Sequence, residues 1–548
     1  MTGVALNVVL CWHMHQPWYR VDGRFSQPWV YLHAIKDYCD MAAHLETVPG
    51  ARAVVNFVPV LLEQIDLYRR ALAQHFEKGT PLDDPLLDAL ARLDLPGDPT
   101  ERAQLLEQCQ HVHAKHVLGR YPAYARLVEL LGPDEHARYL NDAYFADLLV
   151  WFHLAWLGEH TRRHDPRIQA LIAKAHGYSS TDRRLLLTVI RDLLDTVVER
   201  YRRLQTDGRI ELAVSPWAHP ILPLLLDFQA ARAALPHADL PLQPEYPGGA
   251  ERVRWHLDHA RNSATQYFGR TSNGCWPSEG AISDAAVAAI AAAGFTWCAS
   301  GGGVLANSLA AAQQTVECQH RPFEVAGMSC FFRDDGLSDL IGFTYKDWHA
   351  DDAVANLIGH LETIGRHCNR SDAVVAIVLD GENAWESYPQ NGYDFLHALY
   401  DALARHPQLR MTTFSDYLRE HRAAEPLQQI VAGSWVYGTL STWMGEVDKN
   451  RAWDLLSVAK QHYDRRRAEL DNAEECERLL AICEGSDWFW WLGEHNAAAV
   501  VARFEALYRA QLRALYHALG VALPHELEQP LSRGDAAAAV HTMRQAQA

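Results

Sequence analysis

The sequence predicts an α/β fold: an incomplete (β/α)7 barrel of the TIM type, with a helical insertion and a C-terminal α-helical domain. Short runs of apolar, β-branched residues recur along the chain, with helical periodicity between them. Several of these runs end in a carboxylate, an imidazole or a tryptophan, as expected at the catalytic end of a barrel. Residues from about 60 to 205 are helical in character, with breaks at 79–85, 96–99 and 132–133, and this stretch is too long for one crossover, which indicates an insertion.

Seven parallel strands can be placed in chain order. They are expected at residues 5–12, 53–57, 210–215, a short run leading into 274, and 296–300, 329–334 and 374–380. A weak eighth candidate covers residues 410–414, so we expect a barrel that is incompletely closed. The catalytic domain is expected to span residues 1–422, and a helical domain over residues 423–548 is expected to contribute a loop to the active site.

Composition excludes several classes of partner. The 548 residues carry a net charge of −18 without a Lys/Arg-rich block, which argues against nucleic acid and favours a neutral substrate. The N-terminal apolar run is too short to span a membrane and lacks the marks of an export signal. The 10 cysteines include no Cys-x-x-Cys pair, so we expect reduced, mostly buried thiols and a cytoplasmic location. Oligomeric state is not readable from the sequence.

The seventh strand carries the first candidate for catalysis. Residues 374–386 read Val-Val-Ala-Ile-Val-Leu-Asp-Gly-Glu-Asn-Ala-Trp-Glu, a buried strand that delivers Asp380 to its carboxyl end. Asp380 is therefore a candidate catalytic carboxylate, and Trp385 a candidate platform for stacking on a sugar ring. The structural alternative is that Asp380 caps the next helix and Trp385 packs in a core.

A second carboxylate follows the fourth strand. Residues 274–280 read Gly-Cys-Trp-Pro-Ser-Glu-Gly and precede an Ala-rich helix, so Trp276 and Glu279 are expected at the same end of the barrel as Asp380. The structural alternative for Glu279 is an acidic residue favoured by a helix N-terminus.

Three histidines are expected near these carboxylates. His13 and His15 leave the first strand on one face because side chains two residues apart point the same way. They could bind a metal ion or sugar hydroxyl groups, and hydroxyl groups are favoured because no third ligand lies at a suitable spacing. His219 follows the third strand in a loop stiffened by three prolines, which suits a side chain held in a fixed position.

A pair of carboxylates at two strand ends, with aromatic and imidazole side chains around them, is typical of glycosidic bond cleavage. The sequence has no phosphate loop, dinucleotide-binding fingerprint or serine nucleophile elbow that favours other chemistry. Residues 484–491 place four large aromatic residues beside Asp487, and Trp488 among them belongs either to a hydrophobic seam or to the substrate site.

Five segments in order resemble the signature regions of the family 57 glycoside hydrolases that act on α-glucans, particularly the α-amylase and amylopullulanase branch. They are residues 13–17, 208–224, 274–279, 380–386 and 443–446. The resemblance implies a retaining mechanism without a metal or cofactor, with Glu279 as nucleophile and Asp380 as general acid/base. It also implies that glucose units are bound by His13, His15, His219, Trp276, Trp443 and Glu446.

The chain departs from the pattern of that branch at two places. Many members carry an acidic pair where this chain has Gly301 and Gly302, and often a histidine where it has Asp335. We therefore expect an altered subsite and leave the bond preference between α-1,4 and α-1,6 open. The alternatives are 4-α-glucanotransferase or branching activity, in which a sugar hydroxyl intercepts the glycosyl-enzyme, and a catalytically weak α-glucan-binding protein.

Overall fold

The computed structural model describes residues 5–110, 112–130, 139–421 and 424–536. Seven strands, labelled β1 to β7 in chain order, build the barrel: Leu6–Met14, Ala53–Phe57, Ile210–Val214, Gly274–Cys275, Trp297–Ser300, Met328–Phe332 and Val374–Asp380. Their order in the sheet is β7-β1-β2-β3-β4-β5-β6, and neighbouring strands are parallel. The predicted incomplete (β/α)7 barrel is confirmed.

The barrel is joined weakly between β6 and β7. Just beyond β6, Arg333 forms an isolated parallel bridge with Ala376, in which the main-chain N–H of Asp334 donates to the Ala376 carbonyl at 2.8 Å. The Arg333 guanidinium adds a hydrogen bond of 2.8 Å from Nε to the carbonyl of Val378. We call this junction the β6–β7 seam.

The other strands are short and lie outside the ring of seven. Leu409–Met411 pairs with the first residues of β1, whereas β2 pairs with β1 from Cys11 onward, so the weak eighth strand does not widen the barrel. Phe323–Val325 forms an antiparallel pair with β6, and Glu425–Pro426 lies beside it. Arg20–Val21 and Arg24–Phe25 form a separate hairpin.

Helices surround the sheet. Those between or after the barrel strands include Cys39–Thr47, Gly249–Phe268, Asp284–Ala292, Gly302–Ala311, Ala350–Cys368 and Tyr393–Arg405. Those between β2 and β3 are Pro59–Lys78, Pro85–Ala91, Pro99–Gln108, Pro122–Glu129, Asp142–Trp156, Glu159–His164, Pro166–Lys174 and Ser180–Thr206. Within the described ranges, none is both long and apolar enough to cross a membrane.

After the barrel, the chain forms the helices Val447–Arg466, Ala473–Cys483, Ser486–Trp491 and Ala498–Leu519. We call residues 424–536 the C-terminal region. The predicted domain boundary between residues 422 and 423 lies outside the described residues.

Strand alternation separates two cores and sets the direction of the site residues. Val9 and Cys11 of β1 belong to the small core inside the barrel, together with Val374, Ala376 and Val378 of β7. Because every second side chain of a strand shares a face, His13 and Asp380 continue these inward rows at the carboxyl ends of their strands. The two residues are also direct partners in the pairing of β1 with β7.

One pair of cysteines corrects the expectation of reduced thiols. Cys318 and Cys368 form a disulfide across 50 positions of sequence, whereas the other eight cysteines are free and buried. The search for closely spaced cysteines missed the pair because the end of helix Ala350–Cys368 meets a segment far from it in sequence.

Candidate active site

Asp380 is held by its own segment of chain. The side-chain amide of Asn383 donates to Oδ2 of Asp380 at 2.8 Å, and the N–H of Gly381 donates to the carbonyl of His13 at 2.7 Å. Burial raises the pKa of Asp380, although the Asn383 hydrogen bond and the nearby His15 and Arg333 oppose the shift. A carboxyl group with a raised pKa suits a general acid, which must carry a proton at working pH.

Glu382, two residues further on, is a second buried carboxyl group on the same segment. Its Oε1 accepts hydrogen bonds from the main-chain N–H of His15 at 3.1 Å and from the Gln16 amide at 3.4 Å. Burial, and then the charge of Asp380, raise the pKa of Glu382 well above its ordinary value. Glu382 therefore fixes the chain that carries His15 beside Asp380.

Glu279 is held by residues far away in sequence. The indole Nε1 of Trp435 donates to Oε2 of Glu279 at 2.8 Å, and the main-chain N–H of Trp435 donates to the Glu279 carbonyl at 3.0 Å. Nδ1 of His219 lies 3.9 Å from Oε1 of Glu279. Glu279 has a φ of 58° and His219 a φ of 62°, both in the left-handed region that costs side-chain-bearing residues energy. Strained backbone at both positions is typical of side chains aimed at a functional site.

The three predicted histidines come together between the two carboxylates. The ring centroids of His15 and His219 are 4.0 Å apart, and those of His13 and His219 are 5.0 Å apart. Nδ1 of His13 donates to Oδ1 of Asn56 at 2.7 Å, and the Ser215 hydroxyl donates to the same oxygen at 3.0 Å.

Burial sets the charge of two of these imidazoles. Burial, with the proximity of His15, lowers the pKa of His13 to about 3, although the Asn56 hydrogen bond opposes the shift. Burial, followed by the proximity of His15 and His13, lowers the pKa of His219 well below its ordinary value. Both rings are therefore neutral at physiological pH and can exchange hydrogen bonds with uncharged hydroxyl groups.

Four buried nitrogens of this cluster have no hydrogen-bond partner among the described residues. They are Nε2 of His13, Nδ1 of His15, Nε2 of His219 and Nε1 of Trp276. Trp276 packs against the cluster, with its ring 6.3 Å from that of His13 and 5.1 Å from that of Trp435. Because an unsatisfied buried polar group costs about 1–3 kcal/mol, four in one cluster indicate a place where a polar ligand binds.

The C-terminal region contacts this cluster through Ser486 and Asp487, which lie next to the buried carboxylate of Glu484. Ser486 shares a hydrogen bond of 3.0 Å with Nδ1 of His219, and Nε2 of His15 donates to Asp487 at 2.9 Å. Glu484 bonds to Arg252 at 2.7 Å and to His256 at 2.7 Å. Burial raises the pKa of Glu484, but Arg252 and His256 outweigh it and lower that pKa to about 2. The bonds of Glu484 to Arg252 and His256 therefore hold Ser486 and Asp487 beside the histidine cluster.

The same contacts create a set of donors that sequence spacing did not reveal. One ligand atom each from His15, His219 and Asp487 can be chosen so that all three lie within 4.8 Å of one another. Such a set could hold a metal ion, and it was missed because the three residues come from distant parts of the chain. The absence of a catalytic metal therefore stays a prediction.

The other predicted substrate-binding residues lie in packed surroundings. Trp385 is 1% exposed, packs edge-on against Trp12 and donates its indole N–H to the Gly381 carbonyl at 3.0 Å. Trp488 stacks on Tyr508 and donates to the Ile482 carbonyl at 2.7 Å. These contacts fit the structural alternatives weighed for both residues, and their contact with substrate stays a prediction.

Trp443 and Glu446 are likewise engaged within the C-terminal region. Trp443 is fully buried and lies 5.9 Å from the ring of Trp490. Glu446 caps helix Val447–Arg466 by accepting from the main-chain N–H of Lys449 at 3.3 Å. Their contact with glucose also stays a prediction.

Trp435 and Asp487 are the site residues that the sequence did not single out. Trp435 stands in a polar, aromatic loop, where nothing local pairs it with Glu279, 156 positions earlier. Asp487 was noticed only as the neighbour of four aromatic residues. The only local feature that could have marked Asp487 as a site residue is its position in the first turn of helix Ser486–Trp491, among aromatic residues.

The glycines at positions 301 and 302 fit the path of the Trp435 loop. A Cβ at Gly301 would lie 2.6 Å from Cα of Trp435, and one at Gly302 would lie 2.8 Å from the carbonyl oxygen of Arg333. Asp335 accepts from the N–H groups of Gly302 at 3.2 Å and Gly303 at 2.9 Å. A side chain at position 301 would require the Trp435 loop to shift, and one at position 302 would require the main chain at Arg333 to move.

Comparison with known protein families assigns the chain to one of them. The family model described as Glycosyl hydrolase family 57 matches residues 9–428 of the 548. The chain belongs to glycosyl hydrolase family 57. The match includes both candidate catalytic carboxylates and ends before Trp435 and Asp487. No curated protein matches the chain significantly.

Solved structures of family 57 enzymes share the fold. A branching enzyme from Pyrococcus horikoshii aligns with a TM-score of 0.56 and 14% identity, over 97% of each chain. A branching enzyme from Thermococcus kodakaraensis, solved with glucose, has a TM-score of 0.58 and 13% identity, over 94% of this chain and 90% of the other. The α-amylase AmyC from Thermotoga maritima has a TM-score of 0.55 and 12% identity, over 94% and 97%. At these identities the likeness concerns the fold alone.

Proposed function

We propose that this family 57 enzyme cleaves α-glucosidic bonds of starch- or glycogen-type glucans with retention of configuration. Glu279 is the nucleophile and Asp380 the general acid/base. The observation that carries the proposal is the cluster of four buried nitrogens that have no hydrogen-bond partner among the described residues, since imidazole and indole groups suit the hydroxyl groups of a sugar. Two of the histidines support the assignment of the carboxylates: Nδ1 of His219 lies 3.9 Å from Oε1 of Glu279, and His13 is the strand-pairing partner of Asp380.

The mechanism follows from the two environments. Asp380, whose pKa burial raises, acts in its protonated form and donates its proton to the glycosidic oxygen as the bond breaks. Glu279 attacks the anomeric carbon and forms a covalent glycosyl-enzyme. Asp380, now ionised, removes a proton from the incoming water, which releases the sugar with its original configuration. Trp435 orients the Glu279 carboxylate through its indole N–H.

The alternative outcome is transfer in place of hydrolysis. If a sugar hydroxyl intercepts the glycosyl-enzyme, the same residues give 4-α-glucanotransferase or branching activity. Two of the structures that share the fold over at least 94% of this chain are of branching enzymes, which favours keeping this alternative. Membership of the α-amylase and amylopullulanase branch is proposed on the sequence motifs, and a cytoplasmic location on the eight free, buried cysteines.

Product analysis tests the proposal. Incubation with amylose, pullulan and maltoheptaose should yield shorter sugars whose first products keep the α configuration, measured by proton NMR. New reducing ends indicate hydrolysis, longer oligosaccharides without new reducing ends indicate glucanotransferase activity, and new α-1,6 linkages indicate branching. First products of β configuration would contradict the mechanism, as would a crystal structure with the two carboxyl groups about 6.5–9.5 Å apart, where about 5–5.5 Å is expected. Unchanged glucans after prolonged incubation would favour a binding protein.

A further inference from the structure

Two cysteines and a histidine meet at the β6–β7 seam, away from the catalytic cluster. Cys318 and Cys368 form a disulfide, and Nδ1 of His320 lies 3.7 Å from the sulfur of Cys368. One ligand atom from each residue lies within 4.8 Å of the other two. We propose that, once the disulfide is reduced, Cys318, His320 and Cys368 bind a zinc ion, so that this site alternates between a disulfide and a metal-bound state.

His320 is already oriented as a metal ligand. Its Nε2 donates to Oδ2 of Asp334 at 3.0 Å, so the lone pair of the neutral ring is on Nδ1, which faces the sulfur. Metal-bound histidines typically donate the other ring N–H to a carboxylate, which fixes the tautomer and makes the ligating nitrogen more basic. Asp334 fills that supporting role here without being a ligand itself.

The spacing and chemistry of the donors favour zinc. Zn–S bonds of about 2.3 Å and Zn–N bonds of about 2.0 Å at a tetrahedral angle put sulfur and nitrogen roughly 3.5 Å apart, close to the distance between Cys368 and His320. The two sulfurs must separate once their bond is broken. Thiolate and imidazole ligands suit zinc, while calcium and magnesium require oxygen donors. Three protein ligands leave the fourth position to water, which partly exposed His320 and Cys368 allow.

The change of state balances as thiol–disulfide exchange followed by metal binding. One molecule of a monothiol reductant attacks the Cys318–Cys368 bond, forms a mixed disulfide with one cysteine and releases the other as a thiol. A second molecule attacks the mixed disulfide, which releases the second protein thiol and joins the two reductant molecules in a disulfide. The reductant thus transfers two electrons to the protein disulfide. Zinc then displaces one proton from each thiol and binds both thiolates and Nδ1 of His320. Two protons are released for each zinc ion bound.

The main chain around the site connects it to β7. The carbonyl of His320 accepts from the N–H of Val374 at 2.9 Å, and the N–H of Asp334 donates to Ala376 at 2.8 Å across the seam. Either a disulfide or a zinc ion therefore ties helix Ala350–Cys368 to the segment that supports β7, the strand that carries Asp380. The two states preserve the same connection in oxidising and reducing surroundings.

The test combines thiol counting with cobalt as a probe for zinc. In denaturant, we expect eight reactive thiols without a reductant and ten after reduction. Reduced full-length protein freed of reductant should bind cobalt with a sulfur-to-cobalt charge-transfer band, which one equivalent of zinc abolishes. The band identifies the site because the cluster of His15, His219 and Asp487 contains no sulfur. Ten thiols before reduction would overturn the disulfide state, and lack of the band in reduced wild type would overturn the metal site.

Variants locate the ligands. Cys318→Ser and Cys368→Ser should each remove the charge-transfer band, while Cys476→Ser, at another buried cysteine, should keep it. His320→Gln keeps the main-chain bond to Val374 and should weaken zinc binding at least about 10-fold, as expected when a ligand is lost. The matched control, His367→Gln, changes an exposed histidine next to Cys368 and should bind zinc as the wild type does. Equal zinc affinity in His320→Gln and the wild type would overturn the assignment of His320.

Discussion

The two carboxylates proposed for catalysis are held in opposite ways. Asp380 is bonded by Asn383, three residues away, and its strand pairs directly with the strand that carries His13. Glu279 depends on Trp435, 156 positions later, and on His219, which is itself held by Ser486, 267 positions further on. The surroundings of Asp380, the proposed acid, therefore come from the barrel. The surroundings of Glu279, the proposed nucleophile, come from both the barrel and the C-terminal region. The predictions below test that division.

The largest effect is expected at the nucleophile. Glu279→Ala should lower kcat at least about 10⁴-fold on every substrate, because no covalent intermediate forms without the carboxylate. Azide should partly restore turnover on activated glycosides and give a product of inverted configuration, measured by NMR. Glu245→Ala, an exposed control, should behave as wild type. Full activity of Glu279→Ala on amylose would contradict the assignment.

A smaller and substrate-dependent loss is expected at the acid. Asp380→Ala should lower kcat about 10²- to 10⁴-fold on natural glucans, whose leaving group needs a proton. Bond cleavage in aryl glycosides with acidic phenols needs no such proton, so the loss in that step, measured by single-turnover kinetics, should be far smaller. Asp351→Ala, whose carboxylate is 81% exposed, is the control. An equal loss of the cleavage rate on both classes would argue against Asp380 as the proton donor.

The same division explains what the sequence could predict. Strand bounds at Ala53–Phe57 and Val374–Asp380 were predicted correctly because buried strands read as short, largely apolar runs that end at a Pro or Gly turn signal. Glu279, Asp380 and the three histidines became candidates for the same local reason, since each lies at or shortly after the carboxyl end of a strand. Trp435 and Asp487 were missed because their contacts join segments that only the folded chain brings together.

The roles of Gly301, Gly302 and the Cys318–Cys368 disulfide also depend on segments that are distant in sequence. Gly301 and Gly302 read as lost acidic residues in the sequence, whereas in the structure they make room for main-chain atoms of Trp435 and Arg333. Cys318 and Cys368 read as unrelated thiols, although a helix end brings them together. In each case a residue's role depends on a distant segment that the motif alone does not specify.

Removing the indole N–H at Trp435 tests the C-terminal contribution to the nucleophile. Trp435→Phe keeps an aromatic ring and its main-chain bond to Glu279 but loses the bond to Oε2. Because a hydrogen bond to a charged group contributes about 1.5–3 kcal/mol, kcat should fall about 10- to 100-fold. Trp491→Phe, at a tryptophan stacked on Phe504, is the matched control. An unchanged kcat in Trp435→Phe would mean that the barrel alone positions Glu279.

Substitution of Asn383 should shift the pKa of Asp380, the proposed general acid. The Asn383 amide stabilises ionised Asp380, so Asn383→Ala should raise the pKa of Asp380 further. Since a general acid acts while protonated, kcat/KM falls as pH rises through its pKa, and the alkaline limb should move upward by about one pH unit. The exposed control Asn262→Ala should leave the profile unchanged. A downward shift of the limb in Asn383→Ala would mean that another group sets it.

No change in activity is expected on removal of metal ions, even though the nucleophile side gathers three potential ligands. Two carboxylates suffice for a retaining mechanism, and the hydrogen bond of 2.9 Å from His15 to Asp487 can hold both side chains without an ion. Extensive treatment with a chelator should therefore leave kcat on amylose unchanged, both in wild type and in a Cys318→Ser, Cys368→Ser double variant that lacks the proposed zinc ligands. Complete loss of activity in both proteins, restored by added zinc or calcium, would place an essential ion outside the cysteine site, with His15, His219 and Asp487 as its first candidate ligands. Loss confined to wild type would place the ion at the β6–β7 seam.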